Sequence, residues 1–140
     1  MEITIEILQR KFEEYNGVYF DYALPWPEFG LLKSYMTCGY FSCKKLVGKR
    51  RMRGQRIEVT CYFDWDEEEL KNVILHEMIH YYLGYKHIDN SLSHGEEFMK
   101  MANEFNEKYN LKISVTTDCH NFRRAKNAPK LLWKLVKLVS

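Results

Sequence analysis

His76-Glu77-Met78-Ile79-His80 is the stretch that decides how this chain reads. On an α-helix, residues i and i+4 lie on one face a turn apart, so His76 and His80 can hold one metal ion between two imidazoles. Glu77 sits one position on, beside that face, where a carboxylate can take a proton from metal-activated water. Two ligands and a general base on one helix are the parts that zinc-assisted hydrolysis of a peptide bond needs. A shuffled chain of this composition carries the bare spacing about 2% of the time, so the surroundings have to decide.

The surroundings favour a helix. Leu70, Val73, Ile74, Leu75, Met78, Ile79 and Leu83 make an apolar helical run predicted over about 66–83. Asp66 and Glu69 form a capping box at its start, with Glu67 and Glu68 favouring the positive end of the helix dipole. Gly84 reads as the stop. A catalytic zinc keeps three protein ligands and one water, so a third ligand is required. Extending the motif to H-x-x-G-x-x-H would need Gly at 83 and His at 86; the chain has Leu83 and Lys86, with Gly84 and His87 each one place too late. Glu97 and Glu104 are carboxylate candidates on a following helix. His94 fits better, at the predicted first turn of that helix, where it can point back at the zinc.

The rest of the chain bounds the setting. At 140 residues and 46% hydrophobic content it predicts one ordered domain, and a net charge of +2 implies no particular partner. No apolar run is long enough to span a membrane and no basic start leads into a signal-like segment, so a cytoplasmic location is expected. Cys38, Cys43, Cys61 and Cys119 match no zinc-ribbon or redox spacing and read as ordinary reduced thiols.

In order, residues 4–16 predict a helix with Ile5, Leu8, Phe12 and Tyr15 on one face and Asn16-Gly17 as its stop. Pro25-Trp26-Pro27 imposes an extended segment. Residues 31–47 are strand-compatible, and residues 55–63 alternate, with Ile57, Val59, Cys61 and Phe63 on one face. Arg53-Gly54 between them predicts an antiparallel hairpin. A helix over about 94–109 follows, with Ser93 and Glu96 as a second capping box and Phe98, Met101, Ala102, Phe105 and Tyr109 as its buried stripe. Ile113 and Val115 suggest a short extended piece. Pro129 then opens a basic amphipathic stretch over 130–139.

His76-Glu77-x-x-His80, a short loop, and His94-Gly95-x-Glu97-Phe98 together closely resemble the SprT-like zinc metallopeptidases, whose eukaryotic relatives such as Spartan degrade proteins trapped on DNA. The second motif usually reads His-Gly-Pro-Glu-Phe; Glu96 replaces the proline here. Asn16 to Phe20, Leu24-Pro25, Gly39-Tyr40-Phe41 and the strand to Phe63 follow the family order, so the resemblance spans roughly Phe12 to Phe105. It implies that His76, His80 and His94 ligate Zn2+ and that Glu77 is the catalytic glutamate. Many bacterial members end in a zinc ribbon with two cysteine pairs; only Cys119 and His120 stand in that region here, so the ribbon is expected to be missing.

Less is determined about the rest of the site. Tyr81, Tyr82, Tyr85 and His87 are close enough in sequence to be candidates for stabilising an oxyanion, and Asp89 is a candidate for orienting a zinc histidine. Lys44, Lys45, Lys49, Arg50, Arg51, Arg53 and Arg56 load the hairpin, and Arg123, Arg124, Lys126, Lys130, Lys134 and Lys137 load the tail. These clusters read equally as solvated faces and as a surface for nonspecific DNA binding, with Lys49, Arg50, Arg51, Arg53 and Arg56 the leading contacts. The expected fold is α+β and zincin-like: an N-terminal helix, a small antiparallel sheet with a hairpin, and two helices bearing the HExxH…H site. Residues 1–112 are expected to form the peptidase domain and residues 113–140 a basic extension packed on it. The expected function is a zinc metalloendopeptidase acting on protein or peptide substrates. The alternative is a nucleic-acid-binding module whose zinc is structural or residual.

Overall fold

The structure is a computed structural model that describes residues 1–44, 51–115 and 122–139. It is α+β, in the order α1 (Ile5–Phe20), β1 (Glu28–Leu32), β2 (Gly39–Ser42), β3 (Arg56–Thr60), β4 (Phe63–Asp64), α2 (Glu67–Tyr85), α3 (Glu96–Tyr109), β5 (Arg123–Arg124) and α4 (Lys130–Val139).

Helix α2 lies at the centre and packs against α1, α3, β2 and β3. Every residue from 73 to 81 is buried, including His76, Glu77 and His80. A helix surrounded on all sides needs apolar residues all round, which is why this segment reads as a run rather than a stripe. The Asp66–Glu69 capping box forms as expected, Asp66 accepting from the Glu68 and Glu69 backbone N–H groups and Glu69 accepting from that of Asp66. Gly84 does not stop the helix. The last turn continues through it to Tyr85, Lys86 N–H bonds to Tyr82 O, and the chain turns at His87, whose φ is 55°.

The sheet is mixed rather than antiparallel. β2 pairs antiparallel with β3 as the hairpin reading expects, and Gly54 takes a positive φ of 65° in the turn. β1, however, runs parallel to β3 on its other side, giving the order β1-β3-β2. The link between β1 and β2 crosses the sheet past β3, and alternation within a strand carries no mark of its neighbour's direction. The alternating run 55–63 also breaks in two. Thr60 is fully buried, its hydroxyl donates to Ser34 O, and the Trp65 indole N–H donates to Thr60 O at 2.9 Å. Beyond that anchor Phe63–Asp64 pairs with Arg123–Arg124 instead.

Three further readings are corrected. Helix α1 runs on to Phe20, because Asn16 is buried inside it and its amide bonds both the N–H and the C=O of Leu24 at 3.2 and 2.9 Å. The Ser93–Glu96 box does not form; Gly95 is the N-cap of α3 with no side-chain bond, so His94 precedes the helix rather than lying in its first turn. Cys38 is engaged in a disulfide whose partner lies outside the described residues, while Cys43 and Cys61 are free thiols. No helix among the described residues is long and apolar enough to cross a membrane.

Candidate metal centre

His76 and His80 lie one turn apart on α2, and the loop after α2 returns the chain so that His94 meets them. The ring centroids are 5.0 Å apart for His76–His80 and 4.9 Å for each of the pairs with His94. One nitrogen from each ring lies within 4.8 Å of the others. Phe98, fully buried one turn after the α3 N-cap, touches all three rings at centroid distances of 4.7, 4.6 and 5.0 Å and forms the wall behind them. His76 and His80 are buried and His94 is exposed, so the cluster opens to solvent on the His94 side.

The electrostatics suit a cation. Burial pushes the ordinary histidine pKa down to about 4 at His76 and about 4 at His80. Both imidazoles are therefore neutral at pH 7, the form that coordinates metal. Ser114 O lies 2.7 Å from His76 Nδ1. A carbonyl can only accept, so that nitrogen carries the proton and Nε2, 3.0 Å from His94 Nε2, carries the lone pair. His80 Nδ1 is buried with no hydrogen-bond partner among the described residues. Such orphans are rare in folded proteins and call for an explanation such as an ion. Three imidazoles grouped within ligating reach, two of them buried and neutral and one of these with an orphaned ring nitrogen, fit a divalent transition metal.

Glu77 lies against β2. Its carboxyl accepts a backbone hydrogen bond from Phe41, and burial pushes its pKa up to about 8. A Cβ placed on Gly39 would stand 3.1 Å from Glu77 Oε2 and 2.8 Å from Val73 Cγ1, so β2 lies against the helix at the point where it carries no side chain.

The remaining candidates fall elsewhere. Tyr81 is fully buried; its hydroxyl donates to Pro25 O at 2.7 Å and accepts from Gln55, which commits its proton within the core. Tyr85 packs edge-on to Tyr81, with the Lys86 ammonium over its ring. Tyr82 packs against Phe20. His87 bonds Asn90 at 3.3 Å and stays outside the three-histidine cluster. Asp89 bears electrostatically on His80, but its carboxylate accepts from the Ser91 backbone and hydroxyl.

Of the DNA candidates, Lys49 and Arg50 lie outside the described residues, as do Lys45, Cys119 and His120. Arg51 and Arg53 are exposed. Arg56 is not free: it pairs with Glu28 on the neighbouring strand β1 at 3.5 Å and with Glu58, two residues along its own strand, at 3.6 Å. In the tail, Arg123 pairs with Asp64 at 3.4 Å, and Arg124 donates to the carbonyls of Ala125, Lys126 and Ala128. A cavity of about 650 Å³ between Lys33, Tyr62, Arg124 and Pro129 shares no residue with the histidines.

Sequence reasoning missed the Ser114 carbonyl and the contact of Phe98 with all three rings. A backbone carbonyl leaves no trace in residue identity. Phe98 stands four residues after His94, which could have flagged it, but that spacing also fits a core stripe.

An α+β fold in which a central buried helix and the entry to the next helix bring three histidines together, positioned to bind a metal ion, defines the class. The chain belongs to the SprT-like family, which it matches over residues 8–119. No curated protein matches it.

Proposed function

We propose that the protein is a zinc-dependent metallopeptidase that hydrolyses peptide bonds in protein substrates. The observation that carries this reading is the three-histidine cluster, open to solvent on the His94 side, with Glu77 on the same helix against the edge strand β2. His76, His80 and His94 would hold the zinc, leaving its remaining position for water or substrate. Zinc at such a site supplies Lewis acidity, acidifying water toward a pKa of about 7 and polarising a carbonyl.

Glu77 takes the proton from the water and returns it to the leaving amine. Its carboxyl is held near pKa 8 by burial alone. A neighbouring cation favours the charged form and would return it to a carboxylate able to act as base. Phe41 N–H orients that carboxyl from β2. Among the described residues no strand pairs with the outer edge of β2, so an extended substrate backbone can add there as a further strand beside Glu77.

The test is Glu77→Gln. It should retain stoichiometric zinc by elemental analysis and lose about 10²-fold or more of its cleavage rate on an unfolded protein substrate. A variant that cleaves as fast as wild type would end the peptidase reading. A fourth protein ligand in the zinc-loaded protein would favour the second reading, a nucleic-acid module with a structural metal. Only three candidate ligands group among the described residues, which supports an open site.

A further inference from the structure

We infer that Asn106 and Asn72 are positioning residues for the metal centre, acting through the strap at residues 111–114 that follows α3. The inference rests on the metal-site reading above and concerns how His76 is kept in its ligating tautomer.

The strap leaves α3 at Asn110, whose φ of 55° and ψ of 49° turn the chain back along α2. It has no regular secondary structure, so its backbone groups need partners outside a ladder, side chains among them. Asn106 supplies most of them. Its amide donates to Ile113 O at 2.8 Å and accepts from Ile113 N–H at 2.8 Å, a two-point clamp on one residue. Its own carbonyl accepts from the N–H groups of Asn110 and Leu111. From the other side, Asn72 Oδ1, on α2 one turn before His76, accepts from Lys112 N–H at 3.3 Å. Leu111 and Ile113 bury their side chains, which fixes the strap's rotation.

These bonds deliver one group to the site. Ser114 O, the next carbonyl after the clamped residue, sits 2.7 Å from His76 Nδ1. It holds the proton on Nδ1 and directs the Nε2 lone pair at the cluster. The carbonyl belongs to no side chain and cannot be substituted, so its placement depends on the amides that hold residues 112 and 113. Groups that hold a ligating histidine through its other nitrogen typically affect metal affinity by about 10–100-fold. One bond further removed, Asn106→Ala should weaken zinc binding by about 10-fold, at the low end of that range, and Asn72→Ala, which loses a single longer bond, by about 3-fold, below it.

Two measurements test this on the full chain. In metal-free protein labelled with 15N-histidine, wild type should show His76 as the Nδ1–H tautomer, and Asn106→Ala should show a mixture. Zinc dissociation constants from competition with a chromophoric chelator should shift as stated. A purely structural role would lower the melting temperature while leaving the tautomer and the zinc affinity of the folded protein where they were, and that result would overturn the inference. If Asn106→Ala does not fold, Asn72→Ala decides on the same two readouts, since it loses only the longest of these bonds. If wild type binds no zinc, the metal reading fails separately and the tautomer measurement alone decides the role of the strap.

Discussion

Three titratable residues on α2 carry energies that oppose one another, and the opposition is measurable. His76 and His80 have pKa values pushed down to about 4 from 6.5. Their contribution to stability is present above pH 6.5 and is lost as pH falls toward 4, because the unfolded chain takes up the protons first. Glu77 has its pKa pushed up to about 8 from 4.5. Its contribution is present below pH 4.5 and is lost as pH rises toward 8. Between pH 4.5 and 6.5 two histidines outweigh one carboxyl, and above 6.5 only the carboxyl titrates. The metal-free protein should therefore be most stable near pH 6.5, read as the denaturant midpoint in the presence of chelator. Glu77→Gln should flatten the branch above that pH, and a branch that persists in the variant would have another source. Ligand roles separate at the same scale. His94→Ala should weaken zinc binding at least about 10-fold, whereas His87→Ala, which removes only the bond to Asn90, should leave it within about twofold. Equal zinc content in wild type and His94→Ala at limiting metal would remove His94 from the ligand set.

The elements show which local signals survive packing. The Asp66–Glu69 box starts α2 as read because its two bonds close within four residues. The stop at Gly84 fails because Leu83 and Gly84 are buried and the turn after the helix satisfies their carbonyls, Leu83 O accepting from Ile88 and Asp89 and Gly84 O from His87. Burial similarly overrides Asn16-Gly17, where the amide of Asn16 serves a distant loop instead of ending α1. Contact between β2 and α2 gives a test at this scale. A methyl at Gly39 meets the Val73 side chain at 2.8 Å and the Glu77 carboxylate at 3.1 Å, both held in the core. Gly39→Ala should cost about 1–3 kcal/mol, the range for overpacking, and should lower peptidase activity beyond the loss of folded protein because Glu77 must shift. Activity per folded molecule equal to wild type would show that β2 yields instead.

Across the whole molecule the charges are less free than composition suggests. Arg56 and Arg123 have acidic partners, and Arg124 is occupied with three carbonyls. Exposed Arg51 and Arg53 remain beside Gly54 at the hairpin turn. We expect weak, sequence-independent DNA binding that depends on these two residues and falls by about 0.9 log units per log unit of salt for each phosphate engaged. Fluorescence anisotropy near 50 mM salt reads it: binding by wild type that survives Arg51→Ala with Arg53→Ala would move the surface away from the hairpin, and no binding at all would leave substrate recognition to protein contacts.

The sequence by itself determined the parts whose information is local. His76, Glu77 and His80 are tied by helical periodicity, α2 by its cap and apolar run, α4 by Pro129 and its amphipathic spacing, and the β2–β3 hairpin by alternation around Gly54. His94 stands out by its place at the predicted start of the following helix, and the family motif agrees. Tertiary structure decided everything that depends on groups distant in sequence or lacking a side-chain signature. The parallel entry of β1, the pairing of β4 with β5 and the disulfide at Cys38 require partners that no local pattern names. The Ser114 carbonyl reaches His76 across 38 residues. Every residue carries such a carbonyl, and only the packing of the strap between α2 and α3 selects this one.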